Sequence, residues 1–356
     1  MEEKISRVIN WINGNKTGPL SIEIWPTNRC NLKCAMCGTR ISQRNLLKQG
    51  IDAQFEEKKE IPEEKLFSIV EEGSKLGVKN WLLTGGGEPL IRKETTLKLM
   101  NEIKKRNMFG NINTNGTLLS QDDINKIIEM KWDLVMFSLD SANEEAHDFI
   151  RGIDGTFKKS FQSLQNFKKL KRELGINKPK IVFNTILHNK NYNKLDRMIE
   201  FASDVECEDI TFIPLIEFDK FEKNIVLNDE QKEEFQGYIR DIEKLAKQNN
   251  INTNIDNLSN KENKNSKDFL KFCFEPFLHM VIKSNGEVTP CCMIDSTKEN
   301  IKDKSITEIW YGKYFSELRK RFLEGNLLEN CKNCVLSQAI RNEELQKNLE
   351  NLSLFS

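Results

Sequence analysis

Between residues 20 and 216 the chain alternates short apolar runs with longer stretches whose apolar residues recur every three or four positions. The first kind predicts strands and the second amphipathic helices. The expected strands are LSIEIWPTN (20–28), NWLLTGG (80–86), FGNINTNG (109–116), LVMFSLD (134–140), KIVFNTIL (180–187) and DITFIPLI (209–216). The helices between them include PEEKLFSIVEEGSKLG (62–77), RKETTLKLMNEIKKRN (92–107) and NKLDRMIEFASDV (193–205). Such alternation builds βα units around a parallel sheet. Six units fall short of eightfold closure, so the expected fold class is α/β, a partial (β/α)6 TIM-like barrel open on one side.

Beyond the barrel the pattern changes. Residues 228–248 predict one more helix, and NNINTNIDNLSNKENKNSKD (249–268) is so rich in Asn, Lys and Ser that it reads as a linker. The segment FCFEPFLHMVIKSNGEVTPCCMIDS (272–296) holds two β-like runs around Ser284-Asn285-Gly286, a hairpin signal. A helical stretch, SITEIWYGKYFSELRKRFLEG (305–325), then leads to CKNC at 331–334. A polar insert over 38–60 reads as a solvated loop or short helix near a substrate entrance. The expected division is an N-terminal extension (1–19), a barrel (20–227), a helix with linker (228–268) and a small β-hairpin/helix domain (269–345).

Lys plus Arg and Asp plus Glu both number 54, which leaves no cationic excess for a nucleic-acid backbone, so no nucleic-acid partner is expected. There is neither a signal-like apolar start nor an apolar run long enough to cross a bilayer, and a cytoplasmic protein without a membrane partner is expected. Nine cysteines, clustered at two ends of the chain, would stay reduced there, which favours metal or cluster ligation over disulfides.

The first cluster is CNLKCAMCG, with Cys30, Cys34 and Cys37 directly after the first strand. Three thiolates can hold three corners of a four-iron four-sulfur cube and leave one iron open to an exogenous ligand. This CxxxCxxC loop resembles the signature of radical S-adenosylmethionine (radical SAM) enzymes. The resemblance implies that S-adenosylmethionine chelates the open iron and is cleaved reductively to a 5'-deoxyadenosyl radical, which abstracts hydrogen from a substrate. It also implies a flavodoxin- or ferredoxin-type electron donor. GGGEP, with Gly85, Gly86, Gly87 and Glu88, looks like the family segment that receives the cofactor's ammonium group. NTNG, with Asn115, and SLDS, with Ser138 and Asp140, resemble strand-end segments that contact its ribose and methionine parts. Arg151 matches an arginine that reaches the cofactor carboxylate, and Met36 stands where the family usually has an aromatic residue near the adenine.

In the tail, Cys273, twelve residues, Gly286, four residues and Cys291 resemble the opening of the auxiliary-cluster domains called SPASM and twitch. With Cys331 and Cys334 they supply four thiolates, enough for a second four-iron four-sulfur cluster; the same four could form a tetrahedral zinc site. Neighbours on a strand face opposite ways, so Cys291 is expected to ligate and Cys292 to pack. A second, fully ligated cluster would support oxidation or rearrangement. With only about twenty residues before the first strand, a small sugar- or cyclitol-type metabolite is the expected substrate. A peptide substrate is the alternative, and a non-catalytic iron-sulfur or zinc protein is the rival of another class. No acid or base is singled out: His147, His188 and His279 read as structural hydrogen-bonders, and Cys207 as a small apolar residue.

Overall fold

The computed structural model describes residues 1–41, 60–215, 224–259, 272–294, 297–329, 331, 334 and 336–352. All six expected strands form: β1 (Ser21–Ile24), β2 (Asn80–Leu83), β3 (Phe109–Thr114), β4 (Leu134–Ser138), β5 (Lys180–Leu187) and β6 (Asp209–Pro214). They pair in chain order and all parallel. Around them run α1 (Glu2–Ile12), α2 (Glu63–Lys75), α3 (Lys93–Lys105), α4 (Gln121–Glu129), α5 (Glu144–Arg151), α6 (Thr156–Leu174), α7 (Leu195–Asp204) and α8 (Asp229–Gln248).

The alternation that predicts each strand also sorts its two faces. On β4, Val135 and Phe137 are fully buried against the helices, while Leu134, Met136 and Ser138 are half-buried and face the barrel interior. That interior is therefore not packed solid.

The sheet grows at both edges. β7 (Asn252–Thr253) pairs with β6, and β8 (His279–Ile282) pairs in parallel with β1. β9 (Val288–Thr289) turns back on β8 through a Gly286 N–H to Lys283 carbonyl bond of 2.9 Å. The expected hairpin thus forms, but its first strand belongs to the barrel sheet. The order is β7-β6-β5-β4-β3-β2-β1-β8-β9, with β7 and β9 as edges, which is a barrel left open.

Two expectations need correction. The first part of the Asn-rich segment is ordered, because Ile251, Ile255 and Leu258 plug into the barrel core and the Asn254 side chain bonds both backbone groups of Phe212. Residues 260–268 of that segment, and 42–59 of the polar insert, lie outside the described residues. The helical stretch 305–325 is also two helices. A four-residue turn, α9 (Glu275–Leu278), leads into β8, and after the hairpin come α10 (Ile306–Trp310), α11 (Lys313–Leu323) and α12 (Leu336–Glu350). Gly312 separates α10 from α11, where a Cβ would stand 2.6 Å from the Glu308 carbonyl.

α1 is more than an extension. Its Val8 joins Leu20, Phe274, Phe277, Leu345 and Leu349 in a second core that fastens both chain ends to the barrel's lower edge. Arg319 seals this junction, its guanidinium 4.0 Å from the Trp11 ring and 4.2 Å from that of Trp310, with bonds to the carbonyls of Pro276 and Trp310.

Candidate active site

A cavity of roughly 770 Å³ opens where the strands end. Cys30, Cys34, Met36 and Cys37 wall one side, Gly85 to Glu88 the next, and Asn115, Ser138 and Arg151 continue round it. Every residue expected to hold the first cluster or the cofactor therefore lines one space, except Asp140, which stands behind Arg151 and does not reach the wall. Sequence reading missed Asn28, Thr84, Asn184, Ile186 and Ile213, which also line it, as does Asn113 of the NTNG segment. Asn184 carried a signal, a polar residue amid the apolar run KIVFNTIL; the isoleucines carried none.

The cysteine loop is stitched to the end of α5. The Lys33 and Ala35 amides donate to the carbonyls of Arg151 and Ile150 at 3.1 and 2.8 Å. Gly152, left-handed at φ +73°, makes this approach possible, since a Cβ there would lie 2.2 Å from the Lys33 carbonyl. Each of the three sulfurs has an N–H directed at it: Leu32 N on Cys30 at 3.4 Å, Arg40 N on Cys37 at 3.5 Å and Arg151 Nη1 on Cys34 at 3.9 Å. Burial pushes the Cys30 thiol up to about 11 and raises that of Cys34 as well, Arg151 opposing it there. Such thiols give up their protons when a metal replaces them.

The glycines of GGGEP have a reason other than close approach to a ligand. A Cβ on Gly87 would fall 2.1 Å from the Arg29 carbonyl, so the turn sits directly on the chain leading into the cysteine loop. Glu88 is buried and already engaged: Oε1 accepts from Leu90 N at 3.1 Å and Thr114 Oγ1 at 2.7 Å, and Oε2 from Asn115 N at 2.7 Å. It clamps the ends of β2 and β3 together. One lone pair of Oε2 is left for a ligand donor.

Arg151, the last residue of α5, is held from behind. Its Nε lies 2.7 Å from Asp140 Oδ2 in an ion pair whose N–H points off the line of a hydrogen bond. Asp140 Oδ1 accepts from Ile186 N at 3.0 Å. Beneath them lie His147 and His188, both fully buried. Burial, with Arg151 adding to it, drives His147 down to about 3 and His188 to about 4. Each Nδ1 accepts a backbone N–H, from Asp140 and Lys190 respectively, so the proton sits on Nε2. A histidine whose folded pKa lies below its unfolded value of about 6.5 is bound by more protons when unfolded, so stability falls as pH drops below that value. Between about pH 7 and pH 5 each should cost about 2 kcal/mol. Urea titrations of His147→Gln and His188→Gln beside the parent check this: the variants should lose less stability on acidification.

Cys207, at the turn before β6, is buried, and its Sγ donates to the Asp209 carbonyl at 3.2 Å, a packed structural thiol. In the tail, Cys273 is buried while Cys291, Cys331 and Cys334 are half-buried. Burial raises the Cys273 thiol above all, with Glu275, Cys291 and Cys331 adding to it, and burial likewise raises that of Cys291, with Cys292 and Cys331 among the charges that add to it. Cys292 instead faces a second cavity of roughly 330 Å³. Its surface is open to that cavity although it lies deep in the protein, and burial raises its thiol to about 12. Among the described residues no three Cys, His, Asp or Glu side chains close to the spacing of a single metal ion.

The model described as the radical SAM superfamily matches residues 24–202, half of the chain, from the last residue of β1 through all of β2 to β5. The chain belongs to the radical SAM superfamily. A second model, SPASM, an iron-sulfur cluster-binding domain, matches residues 273–335, the whole cysteine-bearing tail. A tungsten-containing aldehyde ferredoxin oxidoreductase cofactor-modifying protein of Pyrococcus furiosus is 23% identical over 334 residues, 88% of this chain and 86% of its own length. The PqqA peptide cyclase of Granulibacter bethesdensis is 27% identical over 184 residues, and this chain spans only 44% of it. Among solved structures, Streptococcus suis SuiB bound to its precursor peptide SuiA aligns over 93% of this chain and 74% of its own at a TM-score of 0.64 and 18% identity. The protein anSMEcpe with bound AdoMet and a peptide aligns over 94% of this chain and 99% of its own at 0.63 and 21%.

This radical SAM enzyme therefore uses four-iron four-sulfur clusters and S-adenosylmethionine as cofactors. The first cavity fits such a cluster, since soft thiol donors share one wall and each carries an N–H directed at its sulfur, the contact that tunes a bound cluster. The fold expectation stands, barrel and tail together. Among the described residues no helix is long and apolar enough to cross a membrane.

Proposed function

We propose that this radical SAM enzyme modifies a peptide. The observation that carries the reading is the end-to-end alignment with anSMEcpe, a protein seen with a peptide bound and of which this chain spans 99%. A peptide therefore requires no additional N-terminal recognition domain. That removes the reason for preferring a sugar or cyclitol, and the likeness to a peptide cyclase points the same way.

In this reading Cys30, Cys34 and Cys37 hold the first cluster, and Cys273, Cys291, Cys331 and Cys334 the second. The bound cluster and S-adenosylmethionine supply a 5'-deoxyadenosyl radical that removes a hydrogen atom from the substrate. Arg151, fixed by Asp140, takes the cofactor carboxylate, and the free lone pair of Glu88 takes its ammonium group. Met36, among Ala35, Ile150, Phe149 and Ile225, offers an apolar surface to the adenine. Gly85, Gly86, Asn115 and Ser138 complete the cofactor wall. Asn184, Ile186 and Ile213, on β5 and β6, are left for the substrate, a neutral wall suited to a peptide segment. The barrel occupies 20–227, the helix and polar linker 228–268 and the auxiliary domain 269–345, with reduction by a flavodoxin- or ferredoxin-type donor.

The test incubates the anaerobically reconstituted enzyme with S-adenosylmethionine, dithionite and synthetic peptides encoded by short reading frames beside its gene. One peptide should bind at about micromolar Kd and lose hydrogen in step with 5'-deoxyadenosine release, read by mass spectrometry. If every peptide stays unchanged while 5'-deoxyadenosine forms, the peptide reading fails, and cofactor precursors, suggested by the Pyrococcus furiosus relative, come next.

A further inference from the structure

The second cavity, of roughly 330 Å³, opens at the other end of the barrel, where β1 and β8 begin. Its inner wall is satisfied within itself. Ser21 Oγ is 2.8 Å from His279 Nδ1, Glu23 Oε2 is 3.6 Å from His279 Nε2, and Trp25 Nε1 donates to Glu23 Oε1 at 2.6 Å. The outer wall is not. Lys4 on α1, Glu275 on α9, and Gln338 and Arg341 on α12 line the same space, and among the described residues none of these four side chains has a hydrogen-bond or ion-pair partner. Gln338 is 8% exposed, so its amide is a buried polar group left without a partner, a cost that a ligand would remove. Leu20, Leu82 and Leu278 form the apolar part of the lining. Left over are two cations, one carboxylate and one amide around an apolar patch.

We propose that this cavity binds a free α-amino acid with an apolar side chain. Its carboxylate meets Arg341, Lys4 and the Gln338 amide N–H, its ammonium group meets Glu275, and its side chain lies on the leucines. Every leftover group is then used. A plain carboxylic acid would leave Glu275 facing an anion, and a plain amine would leave two cations without a counter-charge. The volume is at the small end of ligand pockets, which suits so small a molecule. Bound there, the amino acid ties α1 to α9 and α12, the helices whose core holds both chain ends, so binding stabilises that junction. Two sources share this chemistry: methionine, which cleavage of S-adenosylmethionine releases, and a free aliphatic amino acid. The proposal needs neither a peptide substrate nor a cluster on the tail cysteines.

The test is calorimetric titration of full-length Cys30→Ala/Cys34→Ala/Cys37→Ala protein, in which methionine finds no iron in the first cavity. L-leucine, L-methionine, N-acetyl-L-leucine and L-leucinamide are compared up to about 10 mM. At least one of the two amino acids should bind at a single site and raise the unfolding temperature. The acetyl and amide forms, each lacking one of the two charges, should bind at least about tenfold more weakly than leucine. Tighter binding of methionine assigns the site to the enzyme's own product, and tighter binding of leucine to a free aliphatic amino acid. Adding Glu275→Gln or Arg341→Gln should weaken binding about tenfold or more while unfolding of the ligand-free protein stays as in the parent. Adding Arg151→Met, in the first cavity, should leave the affinity unchanged. No binding of either amino acid, equal binding of the two blocked forms, or an affinity that neither Glu275→Gln nor Arg341→Gln alters overturns the proposal.

Discussion

Replacing Cys30, Cys34 and Cys37 together with alanine should halve the iron of the anaerobically reconstituted protein, from about eight to about four atoms per chain, and abolish 5'-deoxyadenosine formation. The three sulfurs share one cavity wall, and each meets a single N–H from the loop or from Arg151. Alanine removes the donors yet leaves the loop's attachment to α5 intact, because that attachment is made by the backbone of Lys33 and Ala35. Secondary structure and thermal unfolding of the metal-free variant should match the parent. Iron, acid-labile sulfide and zinc measured on one sample separate the outcomes. Eight irons remaining would remove these cysteines from ligation. One zinc and no iron would make the tail a structural site. The reciprocal Cys273→Ala/Cys291→Ala protein should keep about four irons and still cleave S-adenosylmethionine, uncoupled from product.

The barrel and the cofactor cavity were legible in the sequence because both are local. A strand is written in some six alternating residues, and loops at the ends of adjacent parallel strands converge whatever else the chain does. CNLKCAMCG, GGGEP, NTNG and SLDS meet for that reason alone. Glu88 was legible as an acidic acceptor, but not as the clamp between β2 and β3, since its partners Thr114 and Asn115 lie in another unit. Asp140 was expected on the wall because SLDS resembles a family segment that contacts the ribose and methionine parts of the cofactor; only the tertiary fold shows Arg151 in front of it. The ordered Asn-rich segment was hidden by composition, although Ile251, Ile255 and Leu258 are spaced for burial. The pairing of β8 with β1 spans more than 250 residues of chain, and no local pattern encodes it.

Asp140→Asn should be the most damaging single substitution that touches neither a cysteine nor the cavity wall. The amide keeps an oxygen for the Ile186 N–H but removes the charge 2.7 Å from Arg151 Nε. Arg151 is buried between Cys34 and two histidines that burial holds neutral, with Asp140 as its ion-pair partner and Glu88 near enough to feel its charge. Removing one partner of a buried pair costs roughly 3 to 5 kcal/mol. The denaturant midpoint of metal-free Asp140→Asn should drop accordingly. Replacing both partners, as Asp140→Leu/Arg151→Met, removes the stranded charge along with its counter-ion and should recover much of that loss. S-adenosylmethionine binding separates structure from function. It should be weakened in both proteins, because the single variant leaves Arg151 unanchored and the double variant lacks it. Full recovery of cofactor affinity in the double variant would show that the pair only supports the fold, and Arg151 would leave the cofactor site.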